Sequence, residues 1–206
     1  MSRLYGKRMT GNRPAQPRRQ ASPDNGVGQR GFTLIECMIV LAILGIIVGI
    51  ASNSLVDILP RHRLKSAAMD VRQDILKARM EAVKRSSFCT MAFNQNLGGT
   101  TWDYIIFEDT NGTADLEYQS NETLLVKRNM DEYKSGVRID TSASGTGGDG
   151  VSFGDNGSGD PAMGFNYRGL PRNSAMLSGS GAVFLTNNRG ETRRISVNPA
   201  GLVVIE

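Results

Sequence analysis

Residues 30–51 read RGFTLIECMIVLAILGIIVGIA, and the twenty residues from Phe32 to Ala51 carry one charge, Glu36. A helix of that length spans about 30 Å, the hydrocarbon thickness of a bilayer. The residues before it are of another kind. Residues 1–31 are rich in Gly, Pro, Arg and Gln, and such a segment cannot bury enough apolar surface to fold. They carry Arg3, Lys7, Arg8, Arg13, Arg18, Arg19 and Arg30 against one acid, Asp24, a charge of +6. A basic flank holds its end of a membrane helix in the cytoplasm. The expectation is a single-pass anchor over 32–55, with the bulk of the chain across the membrane. An ordinary secretory signal fits poorly, because the apolar run exceeds roughly 7–15 residues and no A-x-A-like site follows.

Downstream, Leu64, Ala67, Ala68, Val71, Ile75, Ala78 and Ala82 recur at steps of three and four. That is the apolar stripe of an amphipathic helix over 56–86, with Pro60 a kink or break. Asp70 and Asp74 form a like-charge i,i+4 pair on it, and Glu81 and Arg85 a favourable one. Residues 87–206 change period. Phe88–Phe93, Thr101–Phe107, Glu122–Arg128, Val137–Ile139, Val151–Phe153, Ala182–Thr186, Thr192–Val197 and Leu202–Ile205 read as short strands between Gly, Asn and Asp turns. A long helix followed by many strands predicts an α+β fold, the helix packed on an antiparallel sheet or β-sandwich. The segment 141–160, rich in Gly, Ser, Thr and Asp, reads as a mobile surface loop. Its Gly145, Gly147 and Gly150 match a dinucleotide-binding spacing without the strand–turn–helix context that chemistry needs.

Composition excludes several classes. The 206 residues hold 24 Lys+Arg and 20 Asp+Glu, a net +4 that suggests an anionic partner. Without residues 1–31 the balance is 17 basic to 19 acidic, or −2. Two cysteines and one histidine provide neither a disulfide framework nor a Cys/His zinc site. The histidine, His62, lies between Arg61 and Arg63 and reads as a solvated helix residue. Cys37 and Cys89 flank a helix some 80 Å long, too far apart to bond to each other. Each reads as a small buried apolar residue. The Ser178–Gly181 run lacks a nucleophile-elbow context, so no enzyme is expected.

A carboxylate five residues into an apolar helix costs a few kcal/mol unless it is neutral or paired. Its context, Arg30-Gly31-Phe32-Thr33-Leu34-Ile35-Glu36, resembles the type IV prepilin family, which includes type IV pilins and the pseudopilins of type II secretion. The resemblance implies that a prepilin peptidase/methyltransferase cuts between Gly31 and Phe32 and methylates the new Phe32 amine. It implies that Glu36 pairs with the Phe32 ammonium of a neighbouring subunit, setting filament register, and that 1–31 is a cleaved leader, long for the family. Ala78-Arg79-Met80-Glu81-Ala82-Val83-Lys84-Arg85 is similar to the GspH/FimT branch. The implied role is a minor pseudopilin of a type II secretion system, structural and without cofactor. Its place is the bacterial inner membrane and a periplasmic filament, with other pilins or pseudopilins and the inner-membrane assembly platform as partners.

Two weaker candidates accompany this reading. The segment 108–117 sets Asp109, Asn111, Asp115 and Glu117 around a glycine turn, which suits either structural calcium or an Asx-rich turn. Arg189, Arg193 and Arg194 cluster on one predicted hairpin, as a DNA contact of a FimT-like minor pilin used in DNA uptake would require. The −2 charge and the apolar, acid-ended C-terminus argue against nucleic acid as a partner.

Overall fold

The computed structural model describes residues 31–110 and 115–206, without the side chains of 51–57. The leader before Gly31 and the calcium candidate Asn111 lie outside the described residues. The chain divides into two compact units, Met1–Gly45 and Ile46–Glu206.

In the first unit the described backbone is helix from Leu34 onward, and every described residue of it is exposed. Cys37, expected to be buried, is exposed with them, because nothing else in the described chain packs around it. Among the described residues no helix is long and apolar enough to cross a membrane. The described side chains of the apolar run stop at Ile50 and resume at Ile58.

The helix α1 is assigned over Leu34–Arg85 and contains Pro60. Of the kink or break expected at Pro60, the break is absent. Proline inside a helix loses one hydrogen bond and crowds the preceding turn, at about 3 kcal/mol. Packing that starts at once offsets this: Pro60 is buried, and Leu64, Ala67, Ala68, Val71, Ile75, Ala78 and Ala82 are all at most 2% exposed. The sequence stripe is thus the face that meets the sheets. Ser86 ends the helix in a left-handed conformation (φ 53°). The Ser87 N–H donates to the Ala82 carbonyl at 3.1 Å, closing the last turn.

Among the described residues nine strands follow, all pairing antiparallel: β1 (Phe88–Leu97), β2 (Thr100–Asp109), β3 (Thr123–Arg128), β4 (Arg138–Ile139), β5 (Ala162–Phe165), β6 (Pro171–Arg172), β7 (Gly181–Thr186), β8 (Thr192–Val197) and β9 (Val203–Ile205). They form a five-stranded sheet, β3-β2-β1-β5-β6, and a four-stranded sheet, β4-β7-β8-β9. Both contribute to one core with the helix: Met91, Phe93, Ile106 and Met163 from the first, Val183, Leu185, Ile195 and Val203 from the second. The opposite face of the larger sheet carries a second cluster, Ala92, Ile105, Phe107 and Ala162, with Leu116 packed against it.

Three expectations need correcting. Val151–Phe153 is no strand but a single bridge, Val151 to Val183. β5 and β6 were not foreseen. β5 reads Ala-Met-Gly-Phe after a proline, a poor strand by propensity. Its Gly164 is demanded by packing, since a Cβ there would lie 2.3 Å from Phe88 Cε1 and 2.7 Å from Leu116 Cδ2. The segment 141–160 is not a purely surface loop. Thr146, Gly150, Val151, Phe153 and Asn156 are buried, and the Phe153 ring stacks on Phe93 at 6.0 Å. Gly150 has φ +71°, and a Cβ on it would meet Ile139 Cγ2 at 2.4 Å. Its glycine serves close approach, not only flexibility.

Cys89 on β1 is buried and unbonded. Burial, reinforced by Glu108, pushes its thiol up to about 12. The thiolate is the reactive form. In the folded chain Cys89 should therefore resist alkylation at neutral pH, and it should label only on unfolding, as read by mass spectrometry of its peptide.

Candidate processing and assembly site

Thr33 is the first link. It precedes the helix, and its Oγ1 accepts the Glu36 N–H at 3.2 Å. The Cys37 N–H donates to the Thr33 carbonyl at 3.2 Å, starting the helical ladder. Thr33-x-x-Glu36 is the spacing of a capping box, a signal the sequence reading passed over. Glu36 stands in the first turn, where the helix dipole favours a carboxylate. Around it Phe32, Leu34, Ile35 and Met38 are 58–80% exposed. An apolar surface of this kind, continuing to Ile50, is built to be covered by something outside the chain.

Gly31 adjoins this helix start. A Cβ built there meets nothing within 4 Å, and its backbone is not left-handed. The fold itself does not require glycine at this position. The Gly31–Phe32 peptide bond lies before the helix, in exposed chain.

In the second unit, polar side chains of the helix fasten it to the sheets. Asp74 Oδ2 accepts the Tyr104 hydroxyl at 2.8 Å and the Arg128 Nε at 2.9 Å. Asp70 accepts the Tyr133 hydroxyl. The like-charge pair of the sequence is thus two separate attachments, each with its own donor. Burial and the adjacent Asp74 push the Tyr104 phenol well above its ordinary range. The Arg79 guanidinium donates to the Gly201 carbonyl at 2.9 Å. It also lies 3.1 Å from where a Gly169 Cβ would sit, so a side chain at Gly169 would crowd the arginine. Asp74→Ala leaves a buried hydroxyl and a guanidinium without their acceptor. A loss of about 2–3 kcal/mol is expected, against about 1 kcal/mol for Tyr104→Phe, as measured by urea denaturation.

Of the calcium candidate, Asp109, Asp115 and Glu117 are described and Asn111 is not. Asp109 is buried at the end of β2. Asp115 accepts the Glu117 N–H at 3.1 Å and Gln119 Nε2 at 3.4 Å. The Glu117 carboxylate accepts the Ser158 hydroxyl. Among the described residues no cluster of three or more His, Cys, Asp or Glu side chains is placed to hold a metal ion. Glu122, unforeseen, closes the connection instead: it is buried and accepts the Gln119 N–H at 2.8 Å.

The arginines are likewise dispersed. Arg189 sits in the β7–β8 turn, which closes through the Gly190 N–H to the Asn187 carbonyl at 3.1 Å. Neighbours on a strand point to opposite faces. Arg193 therefore shares the face of buried Ile195, and Arg194 takes the other. Arg194 is held by Glu206 at 3.0 Å and lies over the Phe184 ring.

Comparison with known proteins agrees with both units. The family model for the prokaryotic N-terminal methylation motif matches residues 27–52. The model for type II transport protein GspH matches residues 67–201. The pilin-like protein PilA1 of Thermus thermophilus is 28% identical over 179 residues, covering 86% of this chain and 99% of its own. No solved structure matches. With well over half its length matched, the chain belongs to the type II transport protein GspH family of pilins and pseudopilins, which are structural subunits and not enzymes.

Proposed function

We propose that the chain is a minor pseudopilin of a type II secretion system. Residues 32–55 would anchor it in the bacterial inner membrane, the N-terminus cytoplasmic and the domain 87–206 periplasmic. Prepilin peptidase removes 1–31 and methylates Phe32. The subunit then joins a short filament moved by the inner-membrane assembly platform. The observation that carries this reading is Glu36, a lone carboxylate in the first turn of an exposed apolar helix, preceding a GspH domain. Deleting the gene from its source organism tests the choice of machine. Loss of exoprotein secretion with surface pili intact is expected; loss of pili with normal secretion contradicts it.

A second reading, a minor type IV pilin used in DNA uptake, draws on the pilin-like relative. The opposed faces of Arg193 and Arg194 weigh against it. DNA binding that falls steeply between low and high salt, and is lost on Arg189→Ala/Arg193→Ala, would favour it.

A further inference from the structure

A cleft of about 510 Å³ opens in the second unit, between β1–β2, the short helix η1 (Met130–Tyr133) and the segment after β4. Its floor is apolar: Phe93 and Met130 are 1% exposed, and Pro161 is buried. Its rim carries Asp103, Asp131 and Asp149. We propose that this cleft binds a basic side chain, a guanidinium or ammonium on its apolar stem, carried by a partner polypeptide.

Three observations select that ligand. The first is charge. The cleft is lined by these three carboxylates and one guanidinium, Arg138, and among the described residues none of the three forms an ion pair. The second is spacing. Among the described residues no three carboxylates are placed to hold a metal ion. The third is the match of surfaces. Lys and Arg side chains combine an aliphatic stem with a charged head, as the cleft combines an apolar floor with an acidic rim. Asp103 is half-buried, and its Oδ2 accepts the Met130 N–H at 2.7 Å, which orients the carboxylate over the floor. Burial raises its pKa, opposed by that N–H and reinforced by Asp131. An incoming cation restores the stabilisation that desolvation removed. Arg138 donates to the Gly136 carbonyl at 3.4 Å, and its other donors suit a main-chain carbonyl of the bound segment.

The test uses the full chain in detergent micelles with ¹³C-labelled methionine methyls. The probe is the peptide Ac-Gly-Arg-Gly-amide. A saturable shift of the Met130 methyl is expected. The same peptide with citrulline, of like shape without the charge, should bind about tenfold more weakly or worse. Asp131→Asn/Asp149→Asn should weaken the arginine peptide by at least about as much; both residues are exposed, so the fold should persist. Equal binding of the citrulline peptide, full affinity in the double variant, or no saturable Met130 shift overturns the proposal. So does binding of spermidine as tight as that of the peptide, which would make this a site for a free polyamine.

Discussion

Glu36→Ala is expected to leave the subunit in the membrane and to remove it from the filament. The substitution makes the first turn more apolar, so insertion should not suffer. The loss falls on assembly. In the proposed filament the Glu36 carboxylate faces the Phe32 ammonium of a neighbouring subunit at membrane depth. Removing one partner of such a desolvated pair strands the other charge, at about 3–5 kcal/mol. At 1.4 kcal/mol per factor of ten, incorporation should fall by about a hundredfold or more. The own-chain contacts do not compensate: the Glu36 backbone N–H already has its acceptor in Thr33 Oγ1, and alanine keeps that bond. Immunoblots of sheared filaments against membranes read the outcome. An unchanged filament fraction would remove the assembly role of Glu36.

Gly31→Leu is expected to stop processing while sparing the fold. A Cβ at Gly31 meets nothing within 4 Å, so no intramolecular clash accompanies the change. Any effect must arise where another molecule grips the chain. One methylene too many in a fitted pocket is worth about 10–200-fold in specificity, and leucine adds a whole isobutyl group. The precursor should accumulate, retaining the +6 charge of residues 1–31. A processed band of normal intensity would move the cleavage site elsewhere.

Much of the fold was legible because it rests on periodicity. The seven apolar residues of the 64–82 stripe are the buried face of α1, since the step of three and four is a direct consequence of helix geometry. The strands with dense β-branched and aromatic residues, β2 and β8 among them, were legible for the same kind of reason. What was missed depends on contacts far apart in sequence. Gly164 and Gly150 look like loop residues until Phe88, Leu116 and Ile139 are seen against them. The continuity through Pro60 depends on burial that local propensity does not encode. The processing and assembly reading rests on Arg30–Glu36 alone, with the Thr33 cap present in the spacing but unread. The calcium candidate includes Asn111, which lies outside the described residues, and the arginine candidate was read from side-chain type without strand face: Arg193 and Arg194 take opposite faces of β8.

The charge count shows what processing changes. The net +4 belongs to a chain that still carries residues 1–31; the remainder is −2. The subunit at work would be mildly acidic. Mass spectrometry of the N-terminus of the subunit recovered from the filament fraction tests the central claim most directly. The account predicts a chain that begins at N-methylated Phe32. A chain that still carries Gly31, or one cut after the apolar run near Ser52, contradicts it.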